Sequence, residues 1–332
     1  MPDVVRFAVA VAVAVITLAP MAHAQGARDV LATGVPRPLQ LAVDGRVLLV
    51  LSPGARGESA GEIYRVPLDG PGPLDLTGQP RTRIPFASGG GTTLGSLAVD
   101  PATDALYLGE ENGKRLWRLG ADGRLVLYAT GLRRLQGGST LTFDHQGRLL
   151  VVDYADPYIS PSEDRTTPGL EQLRDEDYKG PLLFRLDLDP TFPLPRRVVN
   201  LAPLWPRAWA GRAGGSFLPH LISVAPLPRH ELLLLASTGE LHRLSSGESV
   251  VTLFARLPRG QYHRTSMVAA PDGTVYVSGG FHTGQVFRVA PDGAVTAIAS
   301  DLSDPAGIAL DSRGALYVAE SGLHRILRIR AP

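Results

Sequence analysis

The apolar positions of this chain fall in short runs separated by Gly and Asp turns. Residues 305–329, PAGIALDSRGALYVAESGLHRILRI, hold an apolar run at 307–310, a turn at Arg313-Gly314, a second run at 316–319, a short loop and a third run at 325–329. The clearest marker of this phrase is a tetrapeptide of apolar, bulky, Arg, apolar, and it recurs as IYRV (63–66), LWRL (116–119), LFRL (183–186), LHRL (241–244), VFRV (286–289) and ILRI (326–329). Repeats of roughly 40 to 50 residues built only of short strands and tight turns predict propeller blades. The second run of each unit (LYLG, LLVV, LLLLA, VYVS, LYVA) is apolar on both faces, as expected of a strand buried between two neighbouring blades. The expected fold is all-β, a six-bladed β-propeller.

In chain order the blades read as residues 36–88, 92–131, 135–200, 221–257, 265–302 and 305–329. The last blade has too little chain after its Arg for a fourth strand. The segment DVLATGV (29–35) matches the fourth strands LVLYATGL (125–132) and VTAIASDL (295–302), so it is expected to complete the C-terminal blade and close the ring. Tight hairpins at Asp122-Gly123, Asp272-Gly273 and Asp292-Gly293 use Gly where the turn needs positive φ. Blade three is interrupted by an acidic stretch at about 155–181, and 201–219 lengthens the link to blade four. Strands alternate direction within a blade, so both insertions open on one rim, where they read as a lid over the axial channel. Two of the three tryptophans, Trp205 and Trp209, lie in that link.

Composition narrows the partners. A formal charge of +1 leaves no electrostatic footprint for nucleic acid, and with Lys114 and Lys179 the sole lysines there is little scope for Schiff-base chemistry. Residues 1–24 carry Arg6, the apolar run FAVAVAVAVITL (7–18) and Ala22-His23-Ala24, the pattern of a signal peptide cleaved near Ala24. That run is shorter than the ~20 apolar residues of a membrane span, so the mature domain, 25–332, is expected to be periplasmic or secreted, with no stable membrane span. With no cysteine, neither disulfides nor thiolate catalysis is available.

The alternation of strand direction also sorts polar residues by face. Ends of second strands, the loops after them and the starts of first strands share the loop-rich face. Glu110, Asp153 and Glu320 occupy equivalent second-strand ends there, and His220, His263, His282 and His324 fall in its links and loops. Glu110, Asp153, His220 and Glu320 are the candidate ligands of one divalent cation, calcium or zinc; His263 and His282 are the candidate proton carriers; Trp205, Trp209, Arg264 and His324 are candidate ligand-binding residues. An acid at the end of a second strand also has a structural use, accepting backbone N–H groups from the following loop. The Gly-rich links 89–91, 137–138 and 214–215 precede no helix, so they are not nucleotide loops. Six repeated arginines read as structural, since no reaction needs one residue six times.

The phrase PAGIALDSRGALYVAESGLHRILRI resembles an NHL repeat, and the other units resemble degenerate relatives from the NHL and gluconolactonase-like group of six-bladed propellers. The resemblance covers nearly the whole mature chain. It implies a fold shared by calcium-dependent lactonases, strictosidine-synthase-like proteins, zinc-dependent lyases and non-catalytic binding propellers. The calcium lactonases carry axial Glu, Asn and Asp, with a Glu opening the first blade; here the first-strand starts are Pro38, Leu94, Gly138, His220, Thr265 and Pro305. The lyases are matched at Pro219-His220-Leu221, and no motif for pyrroloquinoline quinone is present. Two functions stay open: a metal-dependent hydrolase or lyase of lactone or ester type acting at the channel mouth, and a non-catalytic propeller that binds a ligand, glycan or protein on the same rim.

Overall fold

The computed structural model describes residues 27–53, 61–70, 72–83, 93–111, 115–130, 132, 141–153, 182–186, 193–197, 202–203, 221–245, 251–280 and 283–330. They form six antiparallel sheets arranged as the blades of a propeller. The three inner strands of successive blades are Gln40–Asp44, Val47–Ser52 and Glu62–Pro67; Thr93–Val99, Leu106–Glu111 and Arg115–Leu119; Leu141–Phe143, Leu149–Asp153 and Leu182–Leu186; Leu221–Leu227, Glu231–Ala236 and Glu240–Leu244; Met267–Ala269, Val275–Ser278 and Val286–Val289; and Pro305–Leu310, Ala315–Glu320 and Arg325–Arg330. No helix among the described residues is long and apolar enough to cross a membrane.

The first strand of each blade is innermost. Neighbouring first strands touch in sequence around the ring, with that of blade six against that of blade one. The core is divided into slabs, one in each gap between neighbouring blades. This explains why the second strands are apolar on both faces: Leu48 and Val50 enter the slab shared with blade six, while Leu49 and Leu51 enter the slab shared with blade two. Each fully buried side chain of this size contributes roughly 1.5–3 kcal/mol, so the ring depends on every gap being filled.

Arg28–Thr33 pairs antiparallel with Arg325–Arg330, with Arg28 opposite Ile329 and Thr33 opposite Arg325. Leu31, Ala32 and Val35 join the slab between blades six and one. Two short strands extend the neighbouring blade's outer edge in parallel: Leu74–Asp75 against the N-terminal strand, and Arg196–Arg197 against Leu125–Thr130. Ala202–Pro203 pairs with Phe184 and Arg185, so the outer strand of blade three lies within the span 201–219 that the sequence reading assigns to an insertion. A strand of two residues has no periodicity to read. The remainder of both insertions lies outside the described residues.

The repeated arginines face acids near the turns of their own or the adjoining strand: Arg185 is 3.6 Å from Asp144, Arg243 is 3.9 Å from Glu231 and lies over the Phe254 ring, and Arg328 is 3.3 Å from Asp29. All three are partly exposed, a setting in which an ion pair contributes about 0–1 kcal/mol.

Candidate functional site

The links into the first strands share one backbone device. Arg37, Arg264 and Asp304, each just before a first-strand start, have φ of 43°, 53° and 52°. A left-handed residue other than Gly is uncommon. Its recurrence in blades one, five and six makes the kink part of how a link turns into a blade, and it leaves a charged residue on the loop-rich rim of the channel in each case.

Arg264 reaches furthest. Its Nη2 lies 2.6 Å from Oε1 of Glu111, which ends the second strand of blade two. Blades two and five stand three steps apart in the ring of six, so this ion pair crosses the axis. The Arg264 side chain is 45% exposed and that of Glu111 is 9% exposed. Beneath the rim, Ser266 Oγ donates a 2.8 Å hydrogen bond to Oε1 of Gln40, joining the inner strands of blades five and one. Below that bridge the inner strands enclose an axial cavity of about 240 Å³, with Val43, Val99, Phe143 and Leu310 among its lining.

The candidate metal ligands that the structure describes are engaged elsewhere. Glu110 is buried in the wall of blade two, where its Oε1 accepts from Trp117 Nε1 at 2.8 Å and meets Arg115 Nε at 2.7 Å. Glu320 is fully buried; its Oε1 accepts the Ser303 N–H at 2.8 Å and its Oε2 accepts from Arg325 Nε at 2.5 Å. In blade one Glu62, at a third-strand start, is held by Arg81 at 2.8 Å and Tyr64 at 2.8 Å. Asp153 ends its strand opposite Leu182. The Asp153 side chain and the whole of Trp205, Trp209, His220 and His282 lie outside the described residues. Among the described residues no three His, Asp or Glu side chains gather as a cation cage.

His263 is half-buried beside Arg264, and its carbonyl lies against Gly280, where a Cβ would stand 2.3 Å from that oxygen. His324 closes the Ser321–Leu323 turn in a left-handed conformation, and its Nδ1 accepts the Arg37 N–H at 2.9 Å. That contact ties blade six to the link entering blade one. The structure therefore sets Arg264 across the axis against Glu111, with His263 next to it in the chain, and gives His324 a place at the seam.

Among solved structures the chain is similar to a gluconolactonase from Xanthomonas campestris, with 17% identity over 93% of this chain and 92% of that one and a TM-score of 0.59. It is also similar to the calcium-binding protein regucalcin from Agrobacterium tumefaciens (13% identity, 92% and 93% covered, TM-score 0.57) and to virginiamycin B lyase from Staphylococcus aureus (11%, 89% and 95%, TM-score 0.54). The fold is that of the gluconolactonase-like six-bladed propellers. No family model and no curated protein matches the sequence. Each likeness runs over nearly the whole chain and concerns the fold alone.

One residue of the rim escapes the sequence reading. Glu111 stands next to Glu110, and successive residues of a strand point to opposite faces. The doublet at 110–111 was a visible signal that one of the two acids faces away from the blade interior.

Proposed function

We propose that this propeller binds a small molecule at the loop-rich mouth of its axial channel and acts on it as a lactonase-like hydrolase or lyase. The observation that carries the reading is the Glu111–Arg264 pair, which sets a half-exposed guanidinium over the axis with His263 adjacent in the chain. Arg264 serves as the ligand anchor. His263 is the proton carrier, and a positioned imidazole of this kind contributes about 10²–10⁴-fold to a rate. The sequence assigns Trp205, Trp209, His220 and His282 to this face as candidates, and they lie outside the described residues. The divalent cation expected from the sequence finds no cage among the described residues. The leader-like pattern of residues 1–24 supports an exported protein, and N-terminal sequencing of protein recovered outside the cytoplasm tests that.

A second reading, a binding propeller without turnover, is favoured by one observation: Oε1 of Glu110 and both oxygens of Glu320 are already engaged by arginines and neighbouring donors. A panel of lactones and esters, run on wild type and His263→Ala with a parallel binding assay, separates the two. Turnover that falls at least about a hundredfold in His263→Ala supports the enzyme. Saturable binding without turnover supports the second reading. Neither binding nor turnover across the panel overturns both.

A further inference from the structure

We infer that the ligand held at this mouth carries a carboxylate, and that Arg264, oriented from across the ring by Glu111, is the residue that selects it. The inference rests on the reading that the axial mouth is the ligand site. A guanidinium offers five N–H donors in a planar fork that matches a carboxylate edge to edge. Glu111 meets this fork with its Oε1 2.6 Å from Nη2, and among the described residues Arg264 makes no second ion pair. The pair is lopsided. Glu111 is nearly covered and Arg264 is half open to solvent, so an incoming molecule meets the cation first.

Glu111 also does what a ligand site requires of a supporting residue: it fixes the guanidinium before the ligand arrives, and it does so from a different blade. The fork favours a carboxylate by its directed, charge-assisted hydrogen bonds.

The test titrates the full mature chain with butyrate and with its neutral isostere butyramide, read by ligand-observed NMR, with thermal melts of every variant. Wild type is expected to bind butyrate roughly tenfold more tightly than butyramide, the size of one charge-assisted hydrogen bond. Arg264→Gln removes the preference. Arg264→Lys keeps the charge but not the fork and recovers a minor part of it. Glu111→Gln retains the preference with weaker butyrate binding. Equal affinity for the two probes, no butyrate binding, or a preference that survives Arg264→Gln overturns the inference. A purely structural strap predicts lower melting temperatures in both Gln variants with no change in probe discrimination, and that result also overturns it. Turnover of a lactone that butyrate does not inhibit sinks this inference and leaves the proposed function standing.

Discussion

Glu320 offers the sharpest test of whether the acids at second-strand ends hold the ring together or serve a ligand. It is fully buried, directly opposite Arg325 in the strand register, and each of its oxygens has a partner: the Ser303 N–H on Oε1 and Arg325 Nε on Oε2. Glu320→Ala removes both acceptors at once. Breaking a fully buried ion pair costs about 3–5 kcal/mol, because the surviving charge is stranded. Arg325 is not stranded, since its side chain is 32% exposed and water reaches the guanidinium. What remains is the orphaned Ser303 N–H, which costs about 1–3 kcal/mol, together with a small loss from the half-wet pair. The sum is about 1–4 kcal/mol.

For a ring of this length the entropy of unfolding converts 1 kcal/mol into roughly 2 °C, so Glu320→Ala is expected to melt about 2–8 °C lower. Glu320→Gln keeps an oxygen for the Ser303 N–H and loses the charge facing Arg325, so its decrease should be about 2 °C. Scanning calorimetry of the three proteins, with and without a chelator, measures both. A structural acid gives the order wild type, Gln, Ala, with the same differences in chelator. If Glu320→Ala melts like wild type while metal content or turnover collapses, the reasoning is refuted and the carboxylate belongs to a site.

Three further outcomes follow from the packing and the charges. At Gly307 a Cβ would stand 2.6 Å from the Gln40 Cα and 2.7 Å from the Leu39 carbonyl oxygen, so Gly307→Ala must part the inner strands of blades six and one, at a cost of about 3 kcal/mol. Gly314→Ala has no atom within 4 Å of its new methyl group and strains only a φ of 82°, so chemical denaturation should show a distinctly smaller loss; equal losses would remove the close-approach argument. Deleting residues 28–33 takes away the strand paired with Arg325–Arg330 and exposes that edge, and the expected result is loss of the cooperative transition, whereas an unchanged melting temperature would mean that this pairing does not hold the ring. Burial of Asp144 raises its pKa, but the N–H groups of Arg148 and Gln146 and the Arg148 guanidinium outweigh that and hold it below the ordinary carboxylate value. A pKa lower in the folded than in the unfolded chain gives stability that is present above about 3.9 and lost as pH falls through the folded value. Melts between pH 3 and 7 should therefore fall at the acid end, and Asp144→Asn should flatten that fall; an unaltered profile would exclude Asp144 as a contributor.

The six-bladed architecture was legible because its cause is repeated. Each third strand carries the same apolar-Arg-apolar tetrapeptide, and each second strand must be apolar on both faces to fill two slabs at once. The outer strands Leu74–Asp75, Arg196–Arg197 and Ala202–Pro203 were not legible, since two residues carry no period and their partners are chosen by which neighbouring edge is open. For the acids, a signal existed and was passed over. Glu110 precedes Arg115 and Glu320 precedes Arg325 by the same five residues, the spacing that sets the two side by side across a second-to-third strand loop. The contact from Arg37 to His324 had no such signal, because it joins parts of the chain 287 residues apart that only the assembled ring brings together.

The same spacing argument separates ring-keeping residues from those of a site. A residue that recurs at equivalent places in several blades answers a need that every blade has, as Glu110 and Glu320 do by closing a strand end with an arginine. The position after each of these acids has no such recurrence: it is Glu111 in blade two, Ser321 in blade six, Pro53 in blade one, Ser237 in blade four and Gly280 in blade five. Among the described residues Glu111 alone is acidic there. The pleat turns it away from the slab that holds Glu110, and the one partner found for it, Arg264, comes from the opposite blade. A feature used once in a ring of repeated parts breaks the symmetry of that ring, and a ligand site on a propeller needs a broken symmetry, since six equivalent walls cannot orient an asymmetric molecule. The Glu111–Arg264 pair is therefore the place on the described rim where specificity has the means to arise.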